Sequence, residues 1–368
     1  MGATTTRSKQ PKVKPSRKRS DAPSTVDLPK LRTSERTTLK ACEFRWDMTY
    51  GHDMEPITAA PALRFGSLVH GALAAYYKPG IKRGPHPAKT FRKLYAAELE
   101  TAEAMGFRDE DGNWQEAGGL GEAMMNNYVE EYGSDDKWEV IATEMPFSVT
   151  VMQEVVTMKD GLQMKPWFNY VGVLDGVWRD RSTKRLWIPD HKTTSGIGGT
   201  VDHPNIPPYL QMDDQAGAYW SFGVEYLIQQ GILKDPKQLA GMLYNFMRKA
   251  MPDERPYKIV KGKRLHLNQD GSISKRQPPP FFMRLPIMRD EYDREQAKQR
   301  TLEEYRRIEL LQQGELNVTK SPGMFTCVTC PVRDICELHE TGHDWSSMYN
   351  ETMRPWDPYA QHEIKEGR

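Results

Sequence analysis

Four cysteines constrain this chain more than any other feature. Three sit together as Cys327-Val-Thr-Cys330 and then Cys336, and the fourth, Cys42, lies far upstream. No other cysteine occurs. A C-x2-C-x5-C triplet with one distant companion reads as four thiolates closing around one inorganic centre. Such a centre clasps the two ends of a domain together. Four thiolates suit an iron–sulfur cluster or a structural zinc ion. Two disulfides are the alternative. They are the weaker reading, because the rest of the chain reads as intracellular and disulfides persist mainly in oxidising compartments.

A chain of 368 residues can form one large or two medium domains. No apolar run approaches the ~18 residues that a membrane span needs, and the N-terminus lacks the apolar stretch of a secretory signal. The expectation is a soluble cytoplasmic protein. The net charge of +1 does not point to nucleic acid, but its distribution does more. Residues 1 to 20 carry Arg7, Lys9, Lys12, Lys14, Arg17, Lys18 and Arg19 and no acid. With interleaved Ser, Thr and Pro and no aromatics, residues 1–30 are expected to be a disordered basic tail. That tail either adds non-specific attraction to phosphate or is merely solvated. A second basic stretch, Arg248 to Arg276, includes Lys258, Lys261, Lys263 and Arg264 and reads as an inserted loop or hairpin.

Between these basic stretches the texture changes. Ser34 is a candidate cap for a helix carrying Cys42 onward to about Tyr50. A second helix is expected over Phe65 to Tyr77. Residues 88 to 133 read as helical, with breaks at Gly106 and Gly118-Gly119. Trp138 to Val151, Trp167 to Arg179 and Arg185 to His191 are rich in β-branched and aromatic residues and read as strands. Asp180 to Lys184 is a polar turn. Tyr209 to Gln230 returns to helical periodicity. Gly241 to Arg248 and Pro280 to Ile287 read as strands, and Arg289 to Leu311 as a charged helix. Residues 342–368 read as a polar tail. The order implies an α/β fold: a small central mixed β-sheet flanked by helices, with a helical lobe closed by the four-cysteine cluster.

The strands carry the chemistry. Gly172-Val-Leu-Asp175 is followed by Pro189-Asp190-His191-Lys192. Asp190 and Lys192 are two apart on a strand and so share a face. Asp175 lies on the neighbouring strand across the polar turn. Two carboxylates and an ammonium can therefore converge. Carboxylate oxygens are the ligands that Mg²⁺ or Mn²⁺ prefers. A nearby lysine can orient a water nucleophile or offset charge growing on a phosphate. Taken alone, such a D-x-K is more often a surface ion pair. Gly196-Ile-Gly198-Gly199 lacks the spacing of a phosphate loop, and no nucleotide-binding Walker motif appears. Any unwinding must come from a partner such as a helicase or recombinase acting in trans.

The ordered set of motifs resembles the PD-(D/E)xK nuclease superfamily. Its signature is an upstream acid, here Asp175, then Pro-Asp and Asp/Glu-x-Lys, here Asp190-His191-Lys192. Asp stands where Glu is common. Gly66-Ser-Leu-Val-His70 resembles the G-x-x-x-H motif of the RecB-like branch, and Gln215-Ala-Gly-Ala-Tyr219 its Q-x-x-x-Y motif. A satisfied helix histidine and a helix packing face are the plain readings of these two. The split cysteines resemble the iron–sulfur subgroup, which includes AddB-type nuclease domains, CRISPR-associated exonucleases and phage relatives.

The resemblance implies a nuclease domain over residues 31–341. It implies Mg²⁺ or Mn²⁺ on His70, Asp175, Asp190 and the backbone carbonyl of His191, with Lys192 catalytic. Gln215 and Tyr219 hold the DNA strand in register. Cys42, Cys327, Cys330 and Cys336 hold a [4Fe-4S] cluster, with zinc as the alternative. Glu144 is a supporting acid. The implied activity is a DNA exonuclease acting on single strands or free ends. Its setting is recombination, repair or replication in a bacterial cytosol or phage-infected cell. The rival readings are a catalytically silent end-binding or assembly subunit and a zinc-stapled restriction-type endonuclease.

Overall fold

The computed structural model describes residues 28–57, 61–104, 113–157, 161–196, 208–251, 255–260 and 263–359. The basic tail before residue 28, Gly106, Gly198-Gly199 and residues 360–368 lie outside this set. In chain order the elements are β1 (Lys30–Leu31), α1 (Thr33–Ala41), α2 (Glu43–Trp46), β2 (Met54–Pro56), α3 (Pro61–Tyr76), α4 (Pro87–Ala104) and α5 (Asn113–Tyr132). Then come β3 (Trp138–Thr157), β4 (Gly161–Asp180), β5 (Leu186–Thr194), α6 (Asp214–Ala218), α7 (Val224–Gln229), β6 (Leu239–Arg248), β7 (Tyr257–Val260), β8 (Lys263–His266) and β9 (Phe282–Met288). The chain ends through α8 (Glu291–Gln313), α9 (Met324–Val328), α10 (Arg333–Glu340), α11 (Ser346–Thr352) and β10 (Met353–Pro355). No helix among the described residues is long and apolar enough to cross a membrane.

The chain divides into two compact units. Among the described residues, a sheet unit draws on the chain between 58 and 149 and between 170 and 302, and a cysteine unit on 28–57, 150–169 and 303–358. The main sheet is mixed and ordered β1-β4-β5-β6-β9, with β3 also paired to β4. β4 and β5 are antiparallel, joined at the polar turn, where the Asp180 carboxylate accepts the backbone N–H groups of Ser182 (2.8 Å) and Thr183 (3.1 Å). β5 and β6 are parallel, from Leu186 opposite Leu239 to Thr194 opposite Arg248. A parallel pair needs a crossover, and the segment holding α6 and α7 supplies it. Leu186, Ile188, Pro189, Asp190 and His191 of β5 are all buried. Burial on both faces explains why β5 reads as a near-continuous run without clean alternation.

The core of the sheet unit forms where α3, α4 and α5 meet the sheet. Val69, Leu73, Phe91, Met125 and Tyr128 pack with Trp138, Trp178, Met247 and Phe282. Each fully buried side chain of this kind contributes about 1.5–3 kcal/mol. The expected break at Gly118-Gly119 does not occur, because α5 runs through both. The glycines serve close packing instead. A Cβ on Gly118 would press on the Tyr95 ring at 2.8 Å, and one on Gly121 would collide with Phe91.

In the cysteine unit, the cap of α1 is Arg32 and not Ser34, which lies inside the helix. The helix also stops at Cys42, whose extended backbone (φ −169°, ψ 119°) separates α1 from α2. Phe44, Met48, Val332, Ile335 and Met353 form a second core, and Cys42, Cys330 and Cys336 pack against it. The described part of the expected polar tail, residues 342–359, carries regular structure. α11 lies in this segment, Met353 is buried, and β10 pairs antiparallel with β2.

Candidate active site

Two antiparallel strands and two helices of the sheet unit bring the predicted residues together. β4 presents Asp175, which is buried. One Asp175 oxygen accepts the backbone N–H of His191 at 2.7 Å, locking β4 to β5 at this point. The other lies 3.3 Å from Nδ1 of His70 on α3. Gly66, one turn earlier, sits against β5, since a Cβ there would lie 3.6 Å from Oγ1 of Thr193. The Nε2 of His70 is 2.7 Å from the carbonyl oxygen of His191. Both ring nitrogens of His70 are thus engaged, as they would be in a satisfied helix histidine or in a histidine poised at a metal site. The ring bridges the acid on β4 and the backbone of β5.

Asp190 and Lys192 share a face of β5, as the two-residue period requires. Lys192 Nζ lies 2.9 Å from Asp190 Oδ2 and donates to Oδ1 at 3.1 Å. Lys192 also donates to Gln215 Oε1, Gln215 donates to the Tyr219 hydroxyl at 2.7 Å, and Tyr219 donates to the Val173 carbonyl at 2.7 Å. Gln215 and Tyr219 therefore form a chain that anchors Lys192 to β4. Tyr219 is buried.

Glu144 on β3 completes a cluster. Ligand atoms of His70, Glu144 and Asp175 all lie within 4.8 Å of one another. Asp190 is outside that set; its carboxylate faces Lys192. Glu144 has a left-handed backbone, φ 43°, inside a strand. A non-glycine residue held there is strained, and such strain gathers at functional sites. Dehydration and then the Asp175 charge push the Glu144 carboxyl up to about 7. Burial pushes Asp190 up to about 6 against the pull of Lys192. Burial disfavours a charged His70, yet the Asp175 carboxylate outweighs it and raises His70 to about 9. Crowded oxygens with partly suppressed charge are what a divalent cation relieves. Asp190 Oδ2 is buried and makes no well-formed hydrogen bond, although Lys192 is near. The donor set, carboxylates with one imidazole and one carbonyl, fits a hard or borderline divalent ion.

A layer behind β5 was not visible in the sequence. His191 is buried and burial keeps its imidazole neutral, with its pKa lowered to about 3. Its Nδ1 accepts from Asn245 Nδ2 (2.8 Å), and the same Asn245 nitrogen donates to the Tyr128 hydroxyl (2.9 Å). Arg284 donates to the hydroxyls of Tyr77 and Tyr128 (both 2.9 Å) and to Asp135 (2.7 Å). Asn245 lies opposite His191 on β6, and Arg284 opposite Asn245 on β9. Adjacent strands thus carry a polar relay through an apolar core to the back of the residue between Asp190 and Lys192. The only signal in the sequence is one polar residue, Asn245, in the apolar run Leu243-Tyr-Asn-Phe-Met247.

The four cysteines are all in the cysteine unit, and none is in a disulfide. The Gly323 N–H donates to Cys327 Sγ at 3.4 Å. Glu43, next to Cys42, accepts the N–H (3.0 Å) and hydroxyl (2.6 Å) of Thr319 and pairs with Arg307. The segment leading into the triplet is thereby fastened beside Cys42. Burial raises the thiol pKa of Cys330 and of Cys336, and the other cysteines raise both further.

No curated protein matches the chain significantly. A family model, that of the PD-(D/E)XK nuclease superfamily, matches residues 33–337.

Proposed function

We propose that this chain, which belongs to the PD-(D/E)XK nuclease superfamily, is an exonuclease of its RecB-like iron–sulfur branch that digests DNA with a free end. Membership implies a metal-dependent nuclease. The observation that carries the hydrolytic chemistry is the meeting of His70, Glu144 and Asp175 within 4.8 Å, beside an Asp190–Lys192 pair on one strand face; the finer reading rests on the order of the motifs and the split cysteines in the sequence.

In this reading His70, Asp175, Asp190 and the His191 carbonyl hold Mg²⁺ or Mn²⁺, and Glu144 joins them. When bound, the ion supplies Lewis acidity toward a phosphate oxygen and a water. The chain's own residues do the positioning. Lys192, tethered by Asp190 and Gln215, presents an ammonium that orients the attacking water or screens the phosphate. Gln215 and Tyr219 hold the DNA strand in register, the buried Tyr219 doing so through Gln215, which it fixes from β4. Asn245 holds the His191 ring, and so the backbone N–H and carbonyl that serve Asp175 and His70.

The cysteines hold a [4Fe-4S] cluster with a structural role. Support comes from their place in the sequence, one cysteine before the nuclease core and a C-x2-C-x5-C triplet after it, and from the packing of Cys42, Cys330 and Cys336 against one small core.

The test is digestion of end-labelled linear DNA and of circular single-stranded DNA by anaerobically purified protein with Mg²⁺ or Mn²⁺. Linear DNA degraded from its ends with circles spared is the expected result. Linearised circles would make it an endonuclease. Binding to ends without cleavage of either would favour a silent assembly subunit.

A further inference from the structure

The basic stretch between β6 and β9 is not needed to complete the sheet. Residues 248–276 carry nine basic side chains and three acidic ones, in a chain whose net charge is only +1. The segment leaves the sheet at a telling place. On the parallel β5–β6 pair, Lys192 faces Phe246 and Thr194 faces Arg248. Lys249 N then donates to the Thr194 carbonyl at 2.7 Å. The segment therefore departs two residues, about 7 Å of strand, beyond Lys192. It returns at Phe282, opposite Met247.

Within it, β7 and β8 form an antiparallel ribbon pairing Tyr257 with His266 and Ile259 with Arg264. Its base is pinned by Gln277, whose side chain accepts the His266 N–H (2.8 Å) and donates to the His266 carbonyl (3.2 Å). Strand alternation puts Tyr257, Ile259 and Arg264 on one face. Ile259 is 70% exposed and Tyr257 44%. The Arg264 guanidinium lies 4.1 Å from the centre of the Tyr257 ring, and a weak surface pair links it to Glu130 at 3.7 Å. Lys258 is exposed on the alternate face. A lone two-stranded ribbon with an apolar, aromatic and cationic face is marginal by itself. Its chemistry is that of a surface that stacks bases and neutralises phosphates.

We infer that the β7–β8 ribbon is a second DNA contact, in which Tyr257, Ile259 and Arg264 stack unpaired bases of a single strand while Lys258 and Arg264 meet its phosphates. The ribbon springs from the end of the sheet next to Lys192, so it grips the strand adjoining the bond to be cut. This rests on the nuclease reading for its purpose, though not for its detection.

The experiment measures binding of a fluorescent single-stranded oligonucleotide by anisotropy in EDTA across a salt series, with a blunt duplex in parallel. The variants are Lys258→Gln/Arg264→Gln, Tyr257→Ala and Ile259→Ser. Metal-dependent hydrolysis of bis(p-nitrophenyl) phosphate, too small to reach the ribbon, is the control for the active site and the fold. The double variant should weaken single-strand binding and flatten the slope of log Kd against log salt by about 0.7 per lost phosphate contact, about 1.4 in all. Tyr257→Ala should cost about 5- to 100-fold in Kd, and hydrolysis of the small ester should stay unchanged. Wild-type affinity and slope in all variants would overturn the inference. Equal losses on duplex and single strand would overturn the base-stacking assignment. If no variant or wild-type protein hydrolysed the ester, the nuclease reading would fail, while the binding data would still judge the ribbon.

Discussion

Glu144 should be a residue the fold would rather not have. It sits at φ 43°, a conformation that costs an L-residue about 1–2 kcal/mol. Glycine takes it freely but loses about 0.5–1 kcal/mol through the entropy of the unfolded chain. Glu144→Gly should therefore gain roughly 0.5–1 kcal/mol from the backbone. Both Glu144→Gly and Glu144→Gln also remove a carboxylate crowded against Asp175. Glu144 as a residue is exposed and its carboxyl only partly dehydrated, so screening limits that gain to about 1 kcal/mol or less. In EDTA both variants should melt a degree or a few above wild type, with glycine ahead.

Metal reverses the order. A bound ion stabilises by RT ln(1 + [L]/Kd), and each tenfold loss of affinity removes about 1.4 kcal/mol of it. If Glu144 is a ligand, the variants should gain much less stability from millimolar Mn²⁺ and fall below wild type. Thermal melts of the three proteins in EDTA and along a Mn²⁺ titration read both effects. Equal stabilisation by Mn²⁺ in all three would remove Glu144 from the site. Variants less stable than wild type in EDTA would refute the strain argument.

Three further outcomes are expected. Gln215→Leu removes the partner that holds Lys192 away from a purely Asp190-bound pose, so cleavage should fall about 10- to 100-fold with DNA affinity kept; cleavage at the wild-type rate would show that the relay is only packing. Ser182 and Thr183 hold the Asp180 carboxyl at about 2 despite its burial; a folded-state pKa below the unfolded one gives stability that is present above about pH 4 and lost as pH falls toward 2, worth about 1–2 kcal/mol. Denaturant curves at several pH values should therefore show Asp180→Asn weaker than wild type near neutrality and the gap closing in acid; a gap independent of pH would contradict this. Cys42→Ser should lose iron and become protease-sensitive as fully as Cys330→Ser, because metal binding energy is folding energy when the ligands come from both ends of the chain. Zinc in place of iron and sulfide would refute the cluster, and full metal content in Cys42→Ser would refute the four-ligand set.

The parts of the site that could be read from sequence are those set by local period. Asp190 and Lys192 had to share a face because β5 is a strand, and Asp175 had to lie nearby because Asp180 to Lys184 is a turn. What escaped reading is non-local or depends on packing. Gly118-Gly119 looks like a helix break, yet neighbouring Gly118 and Gly121 let α5 approach the rings of Tyr95 and Phe91. The terminal segment looks polar, but one buried Met353 and the pairing of β10 with β2 are enough to order it. The prominence of Glu144 comes from a backbone angle that no composition reports. Asn245, Arg284 and Tyr128 come from three separate elements, and only the sheet order together with the packing of α5 brings them behind His191.

The central claim is that Asp190 and Lys192 perform metal-dependent hydrolysis of DNA. Its most direct test is single-turnover cleavage of end-labelled single-stranded DNA by wild type, Asp190→Asn and Lys192→Met in Mg²⁺ and Mn²⁺, with DNA affinity measured alongside. Wild type should cleave only with metal. Both variants should bind DNA normally, since phosphate contacts are spread over many side chains, and cleave at least about 10²- to 10³-fold more slowly. Cleavage by either variant within a few-fold of wild type would contradict the account.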